Sequence, residues 1–204
     1  MNLVYPVIAK LPYSIKVLKR QEKKEALSQL GQKCAQKSAL QSKLSINQFK
    51  KDVVGVPLPS NDIYWSISHK AQFAAGVVSK SNIGIDIEKI KDVSKDLFAK
   101  VLCEKQALLF KKKSLNQNFK ISFFRSFTAK EAVLKLTKDG LKGLSKVTIK
   151  KVIDDKNLVV KYLNQEYLIE SFFFDNYLAS ITKNNCIIKW ILFDKNLCLG
   201  EKNE

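Results

Sequence analysis

Between Ile83 and Glu88 apolar and polar side chains alternate strictly: Ile83, Ile85 and Ile87 fall on one side, Gly84, Asp86 and Glu88 on the other. A period of two is that of a strand half-buried on one face. Residues 64–68 and 73–79 read as two strands joined by a short turn, and alternation again predicts strands over 147–152, 158–163, 166–174, 177–182 and 187–193. Good helix formers and an absence of proline predict a helix over residues 15–44, with further helices over 94–112 and 122–138. In residues 53–59 two prolines and a glycine enforce an irregular or extended path. Each half of the chain thus carries a helix followed by strands, and each has a strand pair with a short polar interruption, 64–79 and 166–182. This echo predicts an α+β fold of two similar subdomains, 1–81 and 82–204, with the boundary in the polar stretch Ser79-Lys80-Ser81-Asn82.

Composition narrows the setting. The chain has 204 residues, 46% of them apolar, enough for a buried core. No apolar run approaches the roughly 18 residues of a membrane span, and the N-terminus lacks the pattern of a signal peptide, so a cytoplasmic protein is expected. Cys34, Cys103, Cys186 and Cys198 are scattered, and His69 is the single histidine. That argues for reduced thiols and against a zinc site. The net charge of +17 changes the picture most. It calls for a polyanionic partner: nucleic acid, an anionic membrane, a phosphate-rich small molecule or an acidic protein. Lys16, Lys19, Arg20, Lys23 and Lys24 recur at helical intervals and gather on one side of the first helix, as a solvated or an anion-binding face.

Four residues carry candidate chemistry. Asp86 and Glu88, two apart on a strand, present carboxylates about 6–7 Å apart on one face. Such a pair suits a hard cation, or forms the solvated face of an edge strand. In the helix over 122–138, advancing about 100° per residue from Phe127 puts Phe123, Phe124, Glu131 and Leu134 within about 60° of one line. Glu131 therefore lies in an apolar stripe, where a carboxylate must be paired or metal-bound; an i,i+4 pair with Lys135 is the plain alternative. His69 ends a strand, at the turn, and suits either a structural hydrogen bond or a catalytic role.

Together these residues resemble the bipartite signature of the 4′-phosphopantetheinyl transferases. Ile83-Gly84-Ile85-Asp86-Ile87-Glu88 is similar to the family's Gly-Ile/Val-Asp-x-Glu strand, and Phe127-Thr128-Ala129-Lys130-Glu131-Ala132-Val133-Leu134-Lys135 to its Lys-Glu helix. Ser66-Ile67-Ser68-His69 resembles its Asn-Ile/Leu-Ser-His element. Length and the internal echo favour the larger, pseudo-dimeric, surfactin-synthetase-activating type, in which each half packs a small antiparallel sheet on a long helix.

The resemblance implies transfer of 4′-phosphopantetheine from coenzyme A to a serine of an acidic acyl or peptidyl carrier protein by a monomer. It implies that Asp86, Glu88 and Glu131 hold Mg²⁺ or Mn²⁺, and that Glu131, or a water on the metal, takes the serine proton. Lys130 and Lys135 fall where the family's helix lysines sit, Lys135 against phosphate. Ser68 and His69 would contact the phosphates, His69 near the 3′-phosphate, with Arg20 and Ser28 close to further phosphate contacts. Two positions depart from the pattern. The family's Gly-Lys/Arg-Pro is Gly55-Val56-Pro57 here, with Lys50 or Lys51 near enough to replace the cation, and its asparagine before Ile-Ser-His is Ser66. Two rival expectations remain. One is a basic nucleic-acid-binding module using the Lys16–Lys24 face, Lys111–Lys113 and the aromatic run at Phe172 to Phe174. The other is a coenzyme A-binding relative without transfer.

Overall fold

The computed structural model describes residues 2–12, 19–113, 118–183 and 185–193. Lys16 and Cys198 lie outside them, as do parts of the expected first helix and of the N- and C-terminal subdomains; so do the side chains of Lys112 and Lys113. The elements in chain order are β1 (Asn2–Val4), β2 (Val7–Lys10), α1 (Arg20–Gln41), β3 (Tyr64–Lys70), β4 (Phe73–Ser79) and β5 (Ile85–Lys89). There follow α2 (Lys95–Val101), α3 (Glu104–Lys113), α4 (Phe119–Thr137), β6 (Thr148–Val152), β7 (Asn157–Tyr162), β8 (Gln165–Phe174), β9 (Tyr177–Thr182), β10 (Cys186–Ile188) and β11 (Ile191–Phe193). The fold is α+β, as expected.

Two sheets dominate. One runs in the order β11-β2-β4-β3, the other β5-β9-β8-β7-β6, and β1 pairs with β10 alone. Both expected strand pairs are antiparallel hairpins, β3–β4 and β8–β9. Their turns place Ala71, Asp175 and Asn176 at positive φ. A shared core joins the sheets: Ile8, Phe73, Ala75 and Val77 from the first meet Ile85, Ile87, Ala179 and Ile181 from the second. On the far side of the first sheet, α1 packs Leu27, Leu30 and Cys34 on Val7, Ala9 and Ala74. On the far side of the second, α4 packs Ala129 and Val133 over Leu158, Val160 and Ile169.

Side chains set the helix ends. Glu22 accepts from the backbone N–H of Lys19 (3.0 Å) before α1, Ser94 from Leu97 (3.3 Å) at α2, and Asn118 from Lys120 (3.0 Å) at α4. Lys138, left-handed at φ 67°, stops α4. The expected single helix over 94–112 is two, broken at Leu102-Cys103. Leu102 leaves the helical backbone region and is almost wholly buried against α4 and the second sheet. The expected strand over 187–193 is likewise two short ones. Both return to the N-terminal end of the chain, β10 parallel to β1 and β11 parallel to β2. Across a boundary at 81/82, β11 thus joins the first sheet and β10 pairs with β1.

Two glycines fix the approach of helix to sheet. A Cβ on Gly76 of β4 would stand 2.4 Å from the carbonyl oxygen of Gly31 in α1. One on Gly84, just before β5, would stand 1.9 Å from the carbonyl oxygen of Ala132 in α4. The second contact sets the distance between the strand that carries Asp86 and the helix that carries Glu131.

Candidate active site

Pleating puts Ile85 and Ile87 into the core between the sheets and turns Asp86 and Glu88 toward α4. The alternation seen in the sequence is real, yet its polar face is not solvated: Asp86 is 5% exposed. What closes that face is β3. Along it Ser66, Ser68 and Lys70, two apart, reach across to the edge of β5. Ile85 N–H donates to Ser66 Oγ (3.2 Å) and Ile87 N–H to Ser68 Oγ (3.3 Å), while Ser68 Oγ–H donates to Asp86 Oδ1 (2.8 Å). Lys70 Nζ lies 2.8 Å from Glu88 Oε2. Side-chain hydroxyls thus do at this seam what a backbone ladder does inside a sheet, satisfying two otherwise unpaired edge donors.

Helix α4 does not have one apolar stripe. Ser122, Phe123, Phe124, Thr128, Lys130, Val133 and Leu134 are all buried, because sheet, α2 and α3 surround it. Phe127, Glu131 and Lys135, successive at four-residue spacing, form its half-buried line, which is the line that meets the site. Lys135 Nζ donates to Asp86 Oδ1 (2.8 Å), to the Ile85 carbonyl (3.1 Å) and to the Ile67 carbonyl (3.4 Å). It holds β3 and β5 together from one point.

Electrostatics follow from this crowding. Burial, and then the charge of Asp86, push the Glu131 carboxyl up to about 7, with Lys135 opposing and Glu88 adding to the rise. Burial also raises Glu88, against the hydrogen bond from Lys70. Burial, then Lys135, Lys51 and Lys24 in that order, hold His69 below the ordinary imidazole range. Asp86 Oδ2 and Glu131 Oε1 are both buried without a hydrogen-bond partner. Two such oxygens on neighbouring elements need a proton or a cation.

Among the described residues no group of three or more His, Cys, Asp and Glu side chains could hold a metal ion as they stand. Glu88 is engaged with Lys70, and Asp86 Oδ1 with Ser68 and Lys135. The free oxygens of Asp86 and Glu131 do fit a hard cation that takes one or two carboxylates and completes its shell with phosphate and water.

Of the other expected site residues, Ser28, Ser68, His69 and Lys135 line one cavity of about 230 Å³ together with Lys51. Arg20, two turns before Ser28 on α1, is exposed. Lys130 is elsewhere: it is 3% exposed, and its Nζ donates to the carbonyl of Val101 (2.5 Å) at the end of α2. Burial lowers it to about 8. Directly preceding Glu131 on a helix, it is turned about 100° away from it. Two residues that the motifs do not single out also take part. Lys70 binds Glu88, a pairing signalled by its two-residue spacing from Ser66 and Ser68, and Lys51 enters from the loop before β3. Of the aromatic run expected as a stacking platform, Phe174 is buried and Phe172 stacks on Trp190, while Phe173 is exposed.

Residues 82–182 match the family model of the 4′-phosphopantetheinyl transferase superfamily. The chain is also similar to the 4′-phosphopantetheinyl transferase gsp of Aneurinibacillus migulanus, 29% identical over 93 residues, which is 46% of this chain and 39% of that protein. The match thus spans well under two thirds of the relative's length. No helix among the described residues is long and apolar enough to cross a membrane. The segment that carries the paired carboxylates of β5 and Glu131 of α4 is therefore the one that matches the model of the 4′-phosphopantetheinyl transferase superfamily, as the resemblance of its motifs implies.

Proposed function

We propose that the protein transfers 4′-phosphopantetheine from coenzyme A to a serine of an acyl or peptidyl carrier protein and releases 3′,5′-ADP. The observation that carries this reading is the pair of buried, unpartnered carboxylate oxygens on Asp86 and Glu131, with Ser68 and Lys135, which bind Asp86, lining a cavity together with Ser28, Lys51 and His69. In the reaction the serine oxygen bonds to the phosphorus that bears pantetheine, and the bridging bond to the ADP phosphate breaks. The serine proton passes to Glu131, whose affinity near 7 lets it accept a proton at neutral pH. Ser68 and Lys135 fix Asp86, and the Lys135 ammonium adds positive charge beside the departing phosphate. A divalent cation, Mg²⁺ or Mn²⁺, would be held by Asp86, Glu131 and Glu88 and would neutralise pyrophosphate oxygens.

The two hairpins, each crossed by a helix, support an arrangement of two related halves with the cofactor at their seam; the proposal takes the protein to act as a monomer in the cytoplasm. The test is incubation with coenzyme A, Mg²⁺ and an apo carrier domain, read by mass spectrometry of the carrier. A gain of one phosphopantetheine is expected. Binding of coenzyme A without that gain, across carriers from fatty-acid, polyketide and peptide systems, would sink the transfer assignment.

A further inference from the structure

The three carboxylates of the site are not alike. Asp86 Oδ2 and Glu131 Oε1 are each buried with no hydrogen-bond partner. Glu88 differs, because Lys70 Nζ lies 2.9 Å from its Oε1 and 2.8 Å from its Oε2. One ammonium thus straddles both oxygens, where a cation held by the whole carboxylate would sit. The pair is only partly open to solvent, the Glu88 side chain being 13% exposed.

Lys70 reaches Glu88 because of its place in the fold. It is the last residue of β3 and shares a face with Ser66 and Ser68, which bind the edge of β5. Ser68 meets Asp86, and Lys70, two residues on, meets Glu88, so the strands run in step along the seam. Its backbone is fixed by pairing with Phe73 of β4, and Ala71 opens the turn at φ 54°. Its side chain is 41% exposed, and a flexible four-carbon stem can swing the ammonium out into water. Lys135 has no such freedom, being tied to Asp86 and to the carbonyls of Ile85 and Ile67. Of these two lysines, Lys70 is the one that can leave.

A divalent ion between Asp86 and Glu131 gains Glu88 only after that departure, since an ammonium and a metal ion repel each other and compete for the same oxygens. We infer that Lys70 is an internal competitor for the divalent cation at Glu88, and that it sets the affinity of the site without touching the metal. This rests on the transferase reading above, and the experiment keeps the two apart.

Mn²⁺ binding to the full chain would be followed by electron paramagnetic resonance of the free ion at constant ionic strength, for the unaltered protein, Lys70→Met, Lys70→Arg and Lys89→Met. Met keeps the apolar stem without the charge, and Arg keeps the pair. Lys89, exposed and next to Glu88 in sequence, controls for the loss of any nearby positive charge. Lys70→Met should tighten Mn²⁺ binding about tenfold, with the other two variants within about twofold of the unaltered protein. In a Glu88→Gln background the gain from Lys70→Met should disappear. No tightening by Lys70→Met, equal tightening by Lys70→Arg or Lys89→Met, or a gain that persists with Glu88→Gln overturns the competition alone. Absence of Mn²⁺ binding from the unaltered protein and Lys70→Met alike, with or without coenzyme A, overturns the metal-dependent transferase reading itself.

Discussion

Glu131 is half-buried beside Asp86, and its protonation has a sign that can be worked out. Below about pH 4.5 the carboxyl is neutral in both the folded and the unfolded chain. As pH rises toward about 7 the unfolded chain ionises while the folded one keeps its proton, so stability falls across that window and the loss is complete above it. Glu131→Gln has no such dependence. Urea unfolding between about pH 5 and pH 8 should show the variant gaining on the unaltered protein as pH rises. A constant difference between the two would contradict the burial of this carboxylate. The same variant, and Asp86→Ala, should abolish transfer with circular dichroism unchanged; full activity in either would remove the carboxylates from the mechanism. The value of Glu131 was legible in the sequence, because a carboxylate among Phe123, Phe127 and Leu134 demands a partner. The destination of Lys130 was not. Its cation is drawn into the break between α2 and α3, and nothing local to the Lys-Glu pair announces a carbonyl contributed by Val101.

At the scale of elements, the glycine of the strand motif acts through packing. Gly84 lies against the Ala132 carbonyl, so α4 can sit close enough for Glu131 to share the site with Asp86. Gly84→Ala forces helix and strand apart; backbone cannot yield as a side chain can. Chemical denaturation should show a loss of about 3 kcal/mol, the upper part of the range for overpacked cores. A loss under roughly 0.5 kcal/mol, typical of surface changes, would mean the contact relaxes freely. β8 was readable from a period of two that its burial repeats, whereas β4 and β9 are buried on both faces and were legible only as short apolar runs beside a polar turn. Helix α4 was readable as a helix but not in its burial, since it is enclosed on most sides and no single stripe defines it. β1, β2, β10 and β11 are three or four residues long, too short for periodicity to declare, and their parallel partners come from the other end of the chain.

For the whole molecule, the +17 charge matters for encounter more than for fold. If the partner is an acidic carrier domain, association is steered over distances of about a Debye length, roughly 10 Å at 0.1 M salt. The KM for the carrier should rise severalfold between about 0.05 and 0.5 M salt, with kcat held within about twofold. A KM indifferent to salt would rule out steering. The first sheet adds a constraint on how the molecule is made. β2 lies between β4 and β11, so one of its two neighbours is among the last described residues to leave the ribosome. Until then β2 has an open hydrogen-bonding edge, and Ile191 and Phe193 are missing from the apolar cluster beneath α1. The helix and hairpin of the N-terminal part can form early, but the sheet that carries them closes only when synthesis of the described chain is nearly complete.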